Sequence, residues 1–263
     1  MRNYILLILF VFFSQITLSQ NEKEEVPDII TDRPDQTESA AIVPFNMLQV
    51  ETGFIYEGDE TEMAEFTNTT YNTTLLRYGL FKSTELRVGM EYLDETVKLK
   101  PSGPESSANG FSPLYTGLKV KITEEKGWVP EMAILGSLTW PAAADQELKP
   151  AYVAPAMRLA FAHTLSDKLS LGYNLGTEWD GETPVASYFY SVVLGIGITS
   201  SIGAFVETYG SMYENSKHQH KADAGITWLV HKNFQLDLSG GIGLSEISPD
   251  YFISFGLSYR IPE

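Results

Sequence analysis

The feature that most constrains this chain is a repeated alternation of residue character, with one facing set apolar and the other charged or glycine. Between residues 84 and 92, Leu86, Val88, Met90 and Tyr92 share one face, while Glu85, Arg87, Gly89 and Glu91 share the other. Residues 114–122 repeat the pattern, with Leu114, Thr116, Leu118, Val120 and Ile122 opposite Tyr115, Gly117, Lys119 and Lys121. Successive side chains of a strand point to opposite faces, so such a sheet is greasy on one side and ionic on the other. A wall with lipid outside and water or a polar plug inside has this character.

Twelve such segments are predicted, at about residues 47–57, 71–80, 84–93, 113–122, 130–140, 151–163, 168–178, 187–198, 201–213, 219–230, 233–244 and 251–260. Their connections alternate in length. Residues 81–83, 164–167, 199–200 and 231–232 are tight turns, and 123–129 is a little longer. Residues 58–70, 94–112, 141–150, 179–186, 214–218 and 245–250 read as longer loops. Short turns at one end, long loops at the other and an even strand count are the sidedness of outer-membrane barrels. Closure also leaves no backbone edge facing lipid. Tyr56, Tyr78, Tyr92, Trp140, Trp179, Trp228, Phe234, Tyr251 and Tyr259 fall near predicted strand ends and are candidates for the aromatic girdles.

The N-terminus fixes the compartment. Arg2 precedes an apolar run over residues 4–13, followed by small and polar residues through Ser19, which is the build of a secretory signal peptide. Residues 1–19 are therefore expected to be a signal peptide, 20–45 a linker and plug-like segment, and 46–263 the barrel. No later run reaches the roughly 18 consecutive apolar residues of a spanning helix. The chain has no cysteine, so no disulfide framework is available. A net charge of -16 offers no basic surface for nucleic acid.

Residues 29–41, reading IITDRPDQTESAA, lack strand alternation. Asp32, Arg33, Asp35 and Glu38 charge the segment, and Pro34 breaks helix and ladder alike. This segment, the following VPFNMLQVETGFIYE and the LLRYGL of residues 75–80 resemble a family of bacterial outer-membrane transporter-like barrels labelled as components of a phenol-degradation (meta-cleavage) pathway. The resemblance covers essentially the whole mature chain and is sharpest over TDRPDQTES. It implies an outer-membrane barrel and names aromatic or phenolic compounds as one class of cargo.

The inward positions expected to carry function are Glu51, Arg77, Glu85, Arg87, Glu91, Lys119, Lys121, Glu131 and Arg158. They admit two readings, a polar conduit whose charges set solute preference and a salt-bridged interior that stiffens a closed barrel. From the seventh strand onward the inward face becomes glycine-rich (Gly172, Gly176, Gly195, Gly197, Gly203, Gly225, Gly241, Gly243, Gly256), interspersed with Asn174, Glu178, Glu207, Asp223 and Asp237. These glycines either let the sheet curve or leave room for a guest. The guest expected is the segment Asp32, Arg33, Asp35 and Glu38, with Arg33 meeting inward carboxylates and Asp32 or Asp35 meeting Arg77, Arg87 or Lys119.

No catalytic residues are expected. His163 and His220 have no serine and orienting amide at a spacing that specifies a triad, and His218 with His220 lacks zinc-ligand spacing. The expectation is an all-β transmembrane antiparallel barrel without cofactor or metal, whose partners are outer-membrane lipid and a small-molecule solute. It passes solutes by passive or gated diffusion. The competing expectation is a non-conducting structural or binding barrel whose long loops recognise partners outside the cell.

Overall fold

The computed structural model describes residues 26–214 and 216–261. The expected signal peptide, and the first residues of the linker, lie outside the described residues. Thirteen strands form: β1 Leu48–Glu60, β2 Ala64–Phe81, β3 Thr84–Leu99, β4 Glu105–Phe111, β5 Leu114–Thr123, β6 Glu131–Trp140, β7 Ala154–Ser166, β8 Leu169–Glu178, β9 Ser187–Gly197, β10 Ile202–Met212, β11 Gln219–His231, β12 Phe234–Gly243 and β13 Tyr251–Ile261. Each pairs antiparallel with its neighbour, and β13 returns to β1 with Leu48 opposite Ile261 and Gly58 opposite Tyr251. Twelve strands thus close a barrel, and β4 is a thirteenth that pairs only with β3.

Burial follows the alternation. Leu86, Leu118, Leu138, Val206, Ile226, Leu238 and Phe255 are exposed on the outer wall, whereas Gln49, Glu51, Arg77, Glu85, Lys119 and Asn174 are buried inside it. A protein in water does the reverse, so the outer wall requires an apolar solvent.

Two predicted loops are strands instead. Residues 58–70 are divided between β1 and β2, which meet at the three-residue turn 61–63, and residues 94–112 hold the outer half of β3 and all of β4. β3 pairs through its inner half with β5 (Thr84 opposite Val120) and through its outer half with β4 (Lys98 opposite Glu105). The sheet therefore rises beyond the rest of the rim as a four-stranded flap. Its threonine-rich strand 64–74 has polar residues on both faces because water lies on both sides there. That removes the apolar contrast by which a strand is recognised. At 18 and 16 residues, β2 and β3 exceed the predicted strand length for the same reason.

Of the girdle candidates, Trp140, Trp228, Tyr251 and Tyr259 are exposed on the outer wall. Trp179 is a correction. It lines the interior cavity at the long-loop rim, its indole N–H donating to the Pro184 carbonyl at 3.3 Å.

Candidate functional site: a charged segment docked across the lumen

Residues 26–47 enter at the short-turn end, where the Ile29 N–H donates to the Lys232 carbonyl at 2.8 Å. They cross the lumen and return to the wall beside β2, with Phe45 bridged to Gly79, before β1 begins. Without regular secondary structure, the segment must find partners for its backbone groups elsewhere. The wall supplies them. Asp32 N–H donates to Glu51 (3.1 Å to Oε2), Gln36 N–H to Glu207 Oε2 (2.7 Å), Glu38 N–H to Asn174 Oδ1 (2.8 Å) and Val43 N–H to Glu85 Oε2 (2.8 Å). Asn174 answers with its own amide, donating from Nδ2 to the Glu38 carbonyl at 3.0 Å, so one side chain satisfies both groups of a peptide unit.

Asp32 is the centre of the charged network. Its Oδ2 lies 2.6 Å from Arg87 Nη1, 2.8 Å from Lys119 Nζ and 3.0 Å from Arg77 Nη1, and its Oδ1 accepts from the Ser39 N–H and hydroxyl at 2.8 and 2.7 Å. Arg77 also holds Glu51 at 2.7 Å and Glu85 at 2.9 Å, while Arg87 and Lys119 hold Glu38 at 2.9 and 3.1 Å. Three cations and four carboxylates interlock with almost no access to solvent. Burial alone would raise the Asp32 carboxyl, but Arg77, Lys119 and Arg87 hold it well below the usual carboxylate range.

The opposite half of the segment is held by fewer groups. Arg33 reaches across to Asp237 (3.0 Å), Ser254 (3.1 Å) and Thr73 (3.0 Å). It passes where the wall has no side chain: a Cβ on Gly53 or Gly256 would stand 2.3 or 2.4 Å from the guanidinium. Thr37 donates its hydroxyl to Glu207 and lies 2.7 Å from Ser191 Oγ. Asp35 has no cation partner among the described residues. Enclosure and the nearby Glu207 carboxylate push its carboxyl well above the usual range.

The inward charges predicted as one set are thus divided by the fold. Glu51, Arg77, Glu85, Arg87 and Lys119 meet Asp32 and Glu38 in the network. Lys121 and Glu131 pair with each other at 2.7 Å near the short-turn end, and Lys121 also holds Glu124. Arg158 stands apart, donating to Gln36 O and Asn174 Oδ1 with its guanidinium 4.5 Å above the Phe189 ring. Glu91 lines the outer cavity beside Ser112. Residues not singled out from the sequence, including Gln49, Ser191, Gln235 and Ser254, complete the seat. Their inward register was readable, but nothing in composition distinguishes a polar residue that meets the segment from one that meets water. His163 stacks on Tyr173, and His220 meets the Tyr190 hydroxyl at 3.1 Å, with its ring 6.5 Å from that of His218.

Two cavities flank the segment. The outer one, about 740 Å³, is lined by Arg158, Phe189, Tyr115, Tyr209, Glu91 and Glu178 among others. The inner one, about 450 Å³, lies against Gly195, Gly197, Gly203, Phe205 and Thr227 at the short-turn end. Arg33, Pro34 and Asp35 are the residues that line both.

A closed twelve-stranded barrel with an apolar exterior, an ionic interior and a docked N-terminal segment defines a β-barrel of the outer membrane. The chain belongs to the family described as "Putative MetA-pathway of phenol degradation", which matches residues 31–261. No curated protein matches it. Among solved structures it is similar to an outer-membrane channel from Pseudomonas putida F1, with a TM-score of 0.66 at 12% identity over 83% of this chain and 97% of that one. The translocator domain of the autotransporter NalP from Neisseria meningitidis superposes with a TM-score of 0.55 at 11% identity, covering 82% and 89%. The NanC porin does so at 0.53 and 9%, covering 81% and 100%. At these identities the likeness is one of fold.

Proposed function

We propose that the protein is a gated outer-membrane channel for small solutes, with residues 29–41 as its gate. The observation that carries this reading is the pair of cavities, one open toward each end of the barrel, parted by the layer of Arg33, Pro34 and Asp35. The gate is unequally fastened along its length. Asp32 and Glu38 are locked to Arg77, Arg87 and Lys119, a hinge that resists dissociation because each freed charge would be left buried and unpaired. Arg33 and the stretch 35–37 are held by a single ion pair and hydrogen bonds against a glycine-lined wall, so a local displacement there joins the cavities while the hinge stays fixed.

The solute class follows from the outer cavity and the family name together. Tyr115, Phe189, Tyr209 and Trp179 offer aromatic faces, and Arg158 offers a guanidinium without a carboxylate partner among the described residues. Small aromatic compounds, phenolic ones included, suit that lining. Liposome swelling with the full chain and with a chain lacking residues 29–40 tests the reading, using sugars, amino acids and aromatic acids. Faster swelling after the deletion is expected. A barrel impermeable to every solute in both forms would favour the competing reading, a binding barrel presenting the β2–β4 flap outside the cell.

A further inference from the structure

One pair of opposite charges in the outer cavity is held apart. Four cations line that cavity, and three of them are paired: Arg33 with Asp237, Arg87 with Asp32 and Glu38, and Lys221 with Glu57 at 3.3 Å. Arg158 has no carboxylate within 4 Å among the described residues, and Glu178, which lines the same cavity, has no cation within that distance. Arg158 is nonetheless the cation whose charge Glu178 feels. The register explains the separation. Arg158 on β7 stands opposite Gly176 on β8, between Asn174 and Glu178 in the inward row of that strand. Its Nη1 donates to Asn174 Oδ1 at 2.9 Å and to the Gln36 carbonyl at 3.0 Å, so the guanidinium leans toward the gate and away from Glu178. Phe189 on β9, opposite Gly176, steadies it there, with the guanidinium carbon 4.5 Å from the ring centroid. A Cβ at position 176 would stand 2.1 Å from that ring, so the glycine makes room for it. Nε and Nη2 of Arg158 have no hydrogen-bond partner among the described residues.

We infer that Arg158 and Glu178 grip the zwitterionic head of an aromatic amino acid, its carboxylate on the guanidinium and its ammonium on Glu178. The Nε and Nη2 edge of a guanidinium is one that takes a carboxylate through two parallel hydrogen bonds. The ammonium beside that carboxylate then faces Glu178 along the same wall. A head of no net charge suits an unpaired cation and an unpaired anion together. A plain aromatic acid would set its carboxylate beside Glu178 with nothing between them, and an aromatic amine would do the same to Arg158 with its ammonium. The ring of the solute has Tyr115, Tyr209 and Trp179 to meet in the same cavity, whose volume of about 740 Å³ is that of a small-molecule site. Because Arg158 also holds the Gln36 carbonyl, a solute seated there rests directly on the movable stretch 35–37.

That this ligand is cargo rests on the channel reading, whereas its recognition is tested without conduction. Isothermal titration of the full chain in detergent compares L-phenylalanine with 3-phenylpropionate, which lacks the ammonium, and with phenethylamine, which lacks the carboxylate. Phenylalanine is expected to bind about ten-fold or more tightly than either, since each of the others keeps one of its two charge-assisted contacts. Glu178→Gln is expected to abolish the preference over 3-phenylpropionate, and Arg158→Gln the preference over phenethylamine, with Arg158→Lys keeping part of it. Barrel folding of each variant is verified by its heat-modifiable migration. Equal affinities for the three probes, a preference unchanged in both folded variants, or no binding of phenylalanine by the full chain would overturn the site and leave the channel reading standing. Liposome swelling with phenylalanine supplies the other arm. A barrel that binds phenylalanine with the expected preference, yet stays impermeable to it with and without residues 29–40, would overturn the channel reading and keep the site as that of a receptor.

Discussion

Replacing Asp32 by asparagine should free the gate without unfolding the barrel. The substitution keeps the shape of the side chain and removes the charge on which Arg77, Arg87 and Lys119 converge at 3.0, 2.6 and 2.8 Å. Glu38, Glu51 and Glu85 still balance the three cations, so the network stays neutral overall while the segment loses its main tether. Breaking one partner out of a buried ion pair costs roughly 3–5 kcal/mol. If that loss falls on docking of the segment, the undocked population rises by roughly two to four powers of ten. The amides of Gln36, Glu38 and Val43 report it, since each donates to a wall side chain only while docked. Hydrogen exchange in detergent or nanodiscs should show those amides losing about two orders of magnitude of protection, while ladder amides of β11 to β13 keep theirs. Unchanged protection at all three would refute the hinge, and equal loss throughout the barrel would mean that Asp32 supports the fold instead.

Other outcomes follow from the same contacts. Gly256→Ala places a Cβ 2.4 Å from the Arg33 guanidinium and 2.6 Å from the Thr52 carbonyl oxygen, so it should loosen the gate and raise Gln36 exchange while also straining the β1–β13 pairing, although alanine normally suits a strand better than glycine; wild-type exchange at Gln36 would contradict the close approach. Asp35 has its carboxyl raised by enclosure and by Glu207, with Asp32 and Asp223 adding to the effect. A raised folded value stabilises the docked state at low pH, and that contribution is lost as pH climbs from the usual carboxylate range through the raised one. Gate exchange should accordingly quicken with rising pH, and Asp35→Asn should flatten the profile. Asp32, held low by its cations, should keep the hinge ionised on mild acidification. Phe255→Arg, on the exposed outer wall, should cost about 2–4 kcal/mol of folding stability in lipid if it faces the bilayer midplane; a neutral effect in urea titrations would argue against that wall facing lipid.

The barrel was legible in the chain wherever the two faces met different solvents. Between residues 84 and 92, or 114 and 122, lipid on one side and polar lumen on the other leave an apolar and an ionic row. Beyond the membrane that contrast vanishes, which is why the strand over residues 64–70 and all of β4 read as loop. The segment 29–41 stood out by its charges and Pro34, but its pairing did not. Asp32 and Asp35 are three residues apart and chemically alike, yet one meets three cations and the other meets carboxylates. That difference arises from how far across the lumen each residue reaches, a distance set by strand number and stagger rather than by local sequence. The partners of Arg33 lie on β2, β12 and β13, brought together only by closure.

The central claim is that docking of the 35–37 stretch closes the path. The chain has no cysteine, so a pair introduced as Thr37→Cys and Ser191→Cys, whose hydroxyl oxygens lie 2.7 Å apart, would be the sole thiols in the barrel. Single-channel recording of this variant before and after reduction is the direct measurement. The oxidised form should be closed, and reduction should restore openings at or above the level of the full chain. Equal conductance in the oxidised and reduced states would contradict the gate.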